Sequence, residues 1–180
     1  MNSEKNYFLP VITAILLLLS SCTDETNSDI IYDIAPIYFN IEVLNKAGNN
    51  MLDSTGPGYN PDFIANTSIT IQSKTYKLGV NANTVLKPST RALYVPFNGI
   101  MITTQNGKTY AEIGPFLADK SWNAEKVIIN WGDNSTDILT FSSSLHYKNG
   151  GEPYFDRSYI WNNTDSTTTF ENKGYITIVK

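Results

Sequence analysis

Covalent chemistry shows itself in a sequence through nucleophiles, bases and metal ligands, and in this 180-residue chain they are sparse: one histidine, His146, and one cysteine, Cys22. A catalytic triad sets an imidazole beside a hydroxyl or thiol and a carboxylate behind it, so His146 with Ser144 and Asp156 is the set that could be assembled. No Gly-x-Ser-x-Gly elbow accompanies it, and the simpler reading is an imidazole resting against Tyr147 at a strand end. Glycoside hydrolysis requires two carboxyls flanking one bond. Asp133, Asp137, Glu152 and Asp156 are available, but nothing in their spacing selects a pair, and Asp133 is suited to accept hydrogen bonds within its own turn. Asp133, Ser135 and Asp137 alternate as the first three ligands of an EF-hand loop do. Ile138 then stands where that loop requires glycine, and its twelfth position holds no glutamate. The residues predict no catalytic group, no metal site and no cofactor, and therefore a protein that is not an enzyme.

Aromatic side chains are the remaining candidates for recognition, because exposed rings can stack on sugar faces and anchor protein interfaces. Trp131 and Trp161 fall in β-patterned segments, where a packed core wants large residues; Tyr94, Tyr110, Tyr147, Tyr154, Phe155 and Tyr159 are scattered around them. Trp122 falls in an apparent loop and is the binding candidate, for a glycan or a protein ligand, with an adhesion or pilus-type assembly subunit as the alternative role. The formal net charge of −4 supplies no basic face for a phosphate backbone, which argues against nucleic acid as a partner.

The N-terminus states an address. Lys5 precedes the apolar run Val11 to Leu19, and the small pair Ser20-Ser21 precedes Cys22, the order of a secretory signal. The run is far shorter than the roughly 20 residues of a membrane-spanning helix, and Pro10 would interrupt a longer one. Leu19-Ser20-Ser21-Cys22 resembles the lipobox of bacterial lipoprotein precursors. That resemblance implies cleavage after residue 21, diacylglycerol on the Cys22 thiol and a lasting hold on the membrane, since two or more acyl chains anchor durably where one does not. The alternative is an ordinary secretory signal followed by a free thiol. With Cys22 consumed, no thiol remains for disulfides or zinc, and stability must come from a packed core.

Residues 22–35 are polar at first and lack helical periodicity, the mark of a flexible tether. Its start, Cys22-Thr23-Asp24-Glu25, resembles the export signal that carries some lipoproteins of the Bacteroidetes group to the outer face of the outer membrane. Surface display is the expectation; the periplasmic face is the alternative.

From residue 36 to 180, short segments rich in Ile, Val, Thr, Tyr and Phe alternate with Asn, Gly, Asp and Pro, which predicts strands and turns in a single domain. Ile37, Phe39, Ile41 and Val43 share one face of the first strand by the two-residue alternation. Hairpins are expected around Ser73-Lys74 and around Gln105-Asn106-Gly107-Lys108, and a further reversal at Gly132 to Thr136. Gly56, Pro57, Gly58 and Pro61 argue against regular structure between Asp53 and Asn66, Asn81 to Thr90 is a second aperiodic stretch, and a short helix is expected near Ala118 to Ala124. About nine strands at this spacing predict an all-β fold, an antiparallel β-sandwich that is immunoglobulin-like in the broad sense.

Three further resemblances bear on this reading. Ile128-Ile129-Asn130-Trp131-Gly132-Asp133-Asn134, with His146-Tyr147 downstream, resembles the Trp-x-Phe-Gly-Asp-Gly and later His-x-Tyr signature of PKD-type immunoglobulin-like domains, departing from it in the position of Trp131 and in Asn134. The lipid Cys, the first strand with the segment Asn45 to Asp53 behind it, and the Trp131-Gly132-Asp133 hairpin together resemble the short surface lipoproteins of gut Bacteroidetes. That implies a surface β-sandwich and no ligand in particular. In the same group, exported proteins carry O-glycans at Asp-Ser/Thr followed by a small or apolar residue or Thr; Asp53-Ser54-Thr55 and Asp165-Ser166-Thr167 match, which makes Ser54 and Ser166 candidate acceptors.

Overall fold

The computed structural model describes residues 34–80 and 97–180. The signal segment, Cys22 and most of the tether lie outside the described residues, as do Asn81 to Thr90 and Tyr94.

Alternation dictates the layers. In β1 (Ile37–Leu44) the four apolar residues Ile37, Phe39, Ile41 and Val43 are all buried, while Tyr38, Asn40 and Glu42 alternate with them on the outward face. The same inward and outward rhythm runs through β2 (Ser68–Ile71) and through the long β8 (Thr136–Tyr147). Two sheets result. One is ordered β11-β1-β6-β5-β4, with β4 at Gly79–Val80, β5 at Ile100–Gln105, β6 at Lys108–Phe116 and β11 at Tyr175–Val179. The other is ordered β10-β9-β8-β7-β2-β3, with β3 at Lys74–Lys77, β7 at Trp122–Asn130, β9 at Pro153–Trp161 and β10 at Thr164–Asp165. Rings from opposite sheets meet in the interior: Phe39 of β1 lies 5.0 Å from Phe141 of β8, and Phe116 of β6 lies 4.8 Å from the same ring. Such contacts contribute about 0.5–1.5 kcal/mol per pair beyond the area they bury. The expected all-β sandwich is what the chain builds.

The details depart from expectation in physically legible ways. Eleven strands are present among the described residues where about nine are expected; the additions, β4 and β10, are two residues long, too short for a period to be read. Most pairings are antiparallel, but β11 runs parallel to β1 and β4 parallel to β5. The first hairpin turns at Gln72-Ser73, one residue earlier than expected, with both residues at positive φ, 47° and 63°. The Asn106-Gly107 hairpin forms as expected, with φ of 52° and 77°.

Two short helices break the β pattern. Helix α1 (Pro61–Asn66) corrects the expectation of irregular structure there: Pro61 is tolerated in a first turn, and Asn60 caps it by accepting from the Phe63 amide at 2.9 Å. Helix α2 (Thr167–Lys173) occupies what reads as a Thr-rich link and ends on Gly174 at φ 72°, while Phe170 pins it to the core. The helix expected near Ala118 to Ala124 is absent. A turn at Ala118 to Lys120 leads directly into β7, and a bulge between Trp122 and Glu125, with Ala124 at φ 48°, masks the strand's period.

Candidate functional site

Trp122 opens strand β7 and does not lie in a loop, which corrects its expected setting. Its position follows from the chain's passage between sheets, where β6 ends at Phe116 and β7 begins six residues later. The indole N–H donates to the Leu117 carbonyl at 2.8 Å and closes that connection. The ring is half-buried and packs on Phe116 at 5.3 Å and on Phe141 at 5.4 Å. From there aromatic contact continues outward to the sheet edge, Phe116 to Phe97 at 4.9 Å and Phe97 to Tyr76 of β3 at 5.1 Å. Trp122, Phe116, Phe97 and Tyr76 line an open cleft of about 230 Å³ between the end of one sheet and the β2–β3 hairpin of the other.

Polar groups rim this aromatic floor. Lys74 and Lys120 line the cleft, and the Lys120 ammonium lies 4.1 Å from the Trp122 ring centroid, a cation–π contact. Gln72, one of the two left-handed turn residues, donates its side-chain amide to Glu125 at 3.1 Å. With its N–H already committed to Leu117, Trp122 offers a ligand only ring surface. The hydrogen bonds would come from the lysines and Gln72.

A second cluster gathers around Trp131, which is 2% exposed. Its ring stacks on Phe63 of α1 at 5.8 Å, and its N–H donates to Asp137. Asp137 also accepts from Asn162 at 2.6 Å and from the Lys180 ammonium at 2.8 Å. Burial alone would raise the Asp137 carboxyl, but donation from Lys180, Asn162 and Trp131 outweighs it, and the group sits below the ordinary carboxylate value. Lys180 also reaches Ser135 Oγ at 2.7 Å, so an ammonium already occupies the space in front of Ser135 and Asp137. Asp133 turns back into its own turn, accepting from the Ser135 amide at 2.9 Å and the Ser135 hydroxyl at 2.6 Å. Among the described residues no group of three His, Cys, Asp or Glu side chains is arranged to hold a metal ion.

The remaining candidates are dispersed. His146 stacks on Tyr154 at 5.2 Å and not on Tyr147, a correction that the pleat explains: neighbours along a strand face opposite ways, and the residue opposite His146 on β9 is Tyr154. Ser144 stands opposite Asp156 on the same outward face, yet among the described residues no hydrogen bond joins either to His146. Glu152 pairs with Lys148 at 2.9 Å. Ser54 is exposed in the loop before α1, and Ser166 is the N-cap residue of α2. In both Asp-Ser-Thr segments the aspartate accepts from the amide two residues on, Thr55 and Thr167 respectively, each at 2.9 Å. That backbone bond, more than any other contact, lowers both carboxyls.

Reading the sequence misses Lys74, Tyr76 and Phe97 as neighbours of Trp122, because their proximity arises from the tertiary fold; Lys120, two residues before Trp122, is near it by chain position alone. The alternation of Lys74 and Tyr76 in β3 is the one local signal that they share a face. It also misses Asp137 as a partner of Lys180, 43 positions away. In comparisons with protein-family models, with curated proteins and with solved structures, the chain matches none.

Proposed function

We propose that the protein is a lipid-anchored, non-catalytic binding module of the cell envelope, held at the outer membrane through Cys22 and displayed at the surface, and that it takes a glycan in the cleft beside Trp122. The observation that carries the reading is the aromatic floor under a polar rim. A cleft of about 230 Å³ is smaller than the roughly 300–1,000 Å³ of sites that engulf drug-sized ligands. Its size suits one ring-sized group at the end or side of a longer chain. Aromatic rings below and amide and ammonium donors above are what a sugar ring, apolar on its faces and polar around its edge, would meet.

A protein partner joining by strand addition is the second reading. It is favoured by β11, an edge strand whose Val179 is 62% exposed. The opposite sheet is less inviting, because one edge strand, β3, is four residues long and carries Lys74 and Lys77, and the other, β10, is only two residues long, the kinds of edge that resist pairing.

Native gels cast with soluble polysaccharides test the first reading. At least one polymer is expected to slow the parent protein and leave Trp122→Ala unretarded, while Trp161→Ala migrates as the parent does and urea unfolding shows both variants folded. If no polymer slows the parent, the glycan reading fails. Cell-surface crosslinking into high-mass complexes that depend on β11 would then support the second.

A further inference from the structure

The cleft has a sign as well as a shape. The chain as a whole carries a net charge of −4, yet the two charged side chains lining the cleft are both lysines, Lys74 and Lys120. Three other lysines are neutralised by carboxylates: Lys108 by Glu42, Lys148 by Glu152 and Lys180 by Asp137. Lys74 and Lys120 form no ion pair among the described residues, and Lys120 rests its ammonium on the Trp122 ring. Glu125 of β7 accepts from Gln72 at 3.1 Å, and Asp119 precedes Lys120 in an exposed turn. A cation held over an indole at an exposed site is a weak partner, and a carboxylate that also hydrogen-bonds is a better one.

We infer that the cleft recognises an acidic sugar, a pyranose bearing a carboxylate, as found in uronic-acid polysaccharides. This rests on the glycan reading above and deepens it. The sugar ring lies against the aromatic floor, and its carboxylate takes the Lys120 ammonium off Trp122 and pairs with it and with Lys74. Lysine suits this role, because its ammonium sits on a flexible four-carbon stem and can change partners without moving the backbone. Neutral sugars would find the same rings but would leave both ammonium groups without a counter-charge.

The test is retention of the full chain, solubilised in detergent, on beads carrying polygalacturonate, neutral galactan or polyglutamate, with the double variant Lys74→Met and Lys120→Met beside the parent. Methionine preserves the apolar stems, and near-UV circular dichroism checks that the variant keeps its packing. Expected is retention on polygalacturonate at least tenfold tighter than on galactan or polyglutamate, weakened by salt and lost by tenfold or more in the double variant. Equal retention on galactan overturns the acidic requirement and leaves the glycan reading standing. Equal retention on polyglutamate overturns the sugar requirement, and unchanged retention of the double variant overturns the site. No retention on any bead overturns the inference, and the gel series with other polysaccharides decides the glycan reading beneath it.

Discussion

At Asp137 one carboxylate answers an indole, an amide and an ammonium, each drawn from a different part of the chain. Removing one partner of such a buried pair leaves the other charge uncompensated, at a cost of roughly 3–5 kcal/mol. Asp137→Asn is expected to lose about 3 kcal/mol at neutral pH, measured by urea unfolding. The pH dependence has a definite sign. The carboxyl is lowered in the folded state relative to an unfolded value of about 4, so its contribution is complete above that range and is lost as pH falls through the folded value. The difference between parent and variant should therefore be full at pH 7 and shrink steadily below pH 4; a difference independent of pH would show that the charge is not what stabilises. Little of this was legible in the residues. Asp133, Ser135 and Asp137 advertise themselves together by their alternation, but whether a cation stands before them depends on Lys180, brought there by the folding of β11 alongside β1.

Elements were legible to the degree that their patterns are local. The buried face of β1 and the Asn106-Gly107 hairpin follow from alternation and turn chemistry alone. Helix α1 was hidden because glycines and prolines surround its Asn60 cap, and the start of β7 because its bulge breaks the two-residue period. The cleft was correspondingly half visible: Trp122 could be singled out by residue type and Lys120 stands two residues before it, but Lys74 and the other rings come from β3, β6 and the chain before β5. How closely elements are fitted is shown by Gly132. A Cβ there would overlap the carbonyl oxygen and the Cα of Phe63, both backbone atoms of α1. Gly132→Ala must push the helix off the β7–β8 turn and is expected to cost about 3 kcal/mol in urea unfolding, at the upper end for overpacking. It should also lose near-UV signal from the Phe63 and Trp131 stack. An unchanged spectrum would mean that α1 does not seat on Gly132.

For the whole molecule the governing expectation is the address. If a lipid on Cys22 holds the domain at the envelope, palmitate should label the parent and leave Cys22→Ala unlabelled, and that variant should lose its firm association with the membrane fraction. A Cys22→Ala protein processed and retained as the parent is would place the anchor elsewhere. Among the described residues no helix is long and apolar enough to cross a membrane. Fold class at this scale was legible, because alternating segments separated by turns are the property of a sandwich as a whole. The order of strands was not, since non-local pairing leaves no trace in any short window.

The parallel seam between β1 and β11 has a consequence for how the domain comes into being. Glu42 and Thr177 are joined across 135 intervening steps of chain, so the first strand to emerge from a ribosome or a translocation pore keeps one flank bare until nearly everything else has followed. Such long-range closure slows folding, and a bare flank invites foreign strands in the meantime. The nascent domain is thus most vulnerable in transit, when half of its seam has arrived and the other half has not.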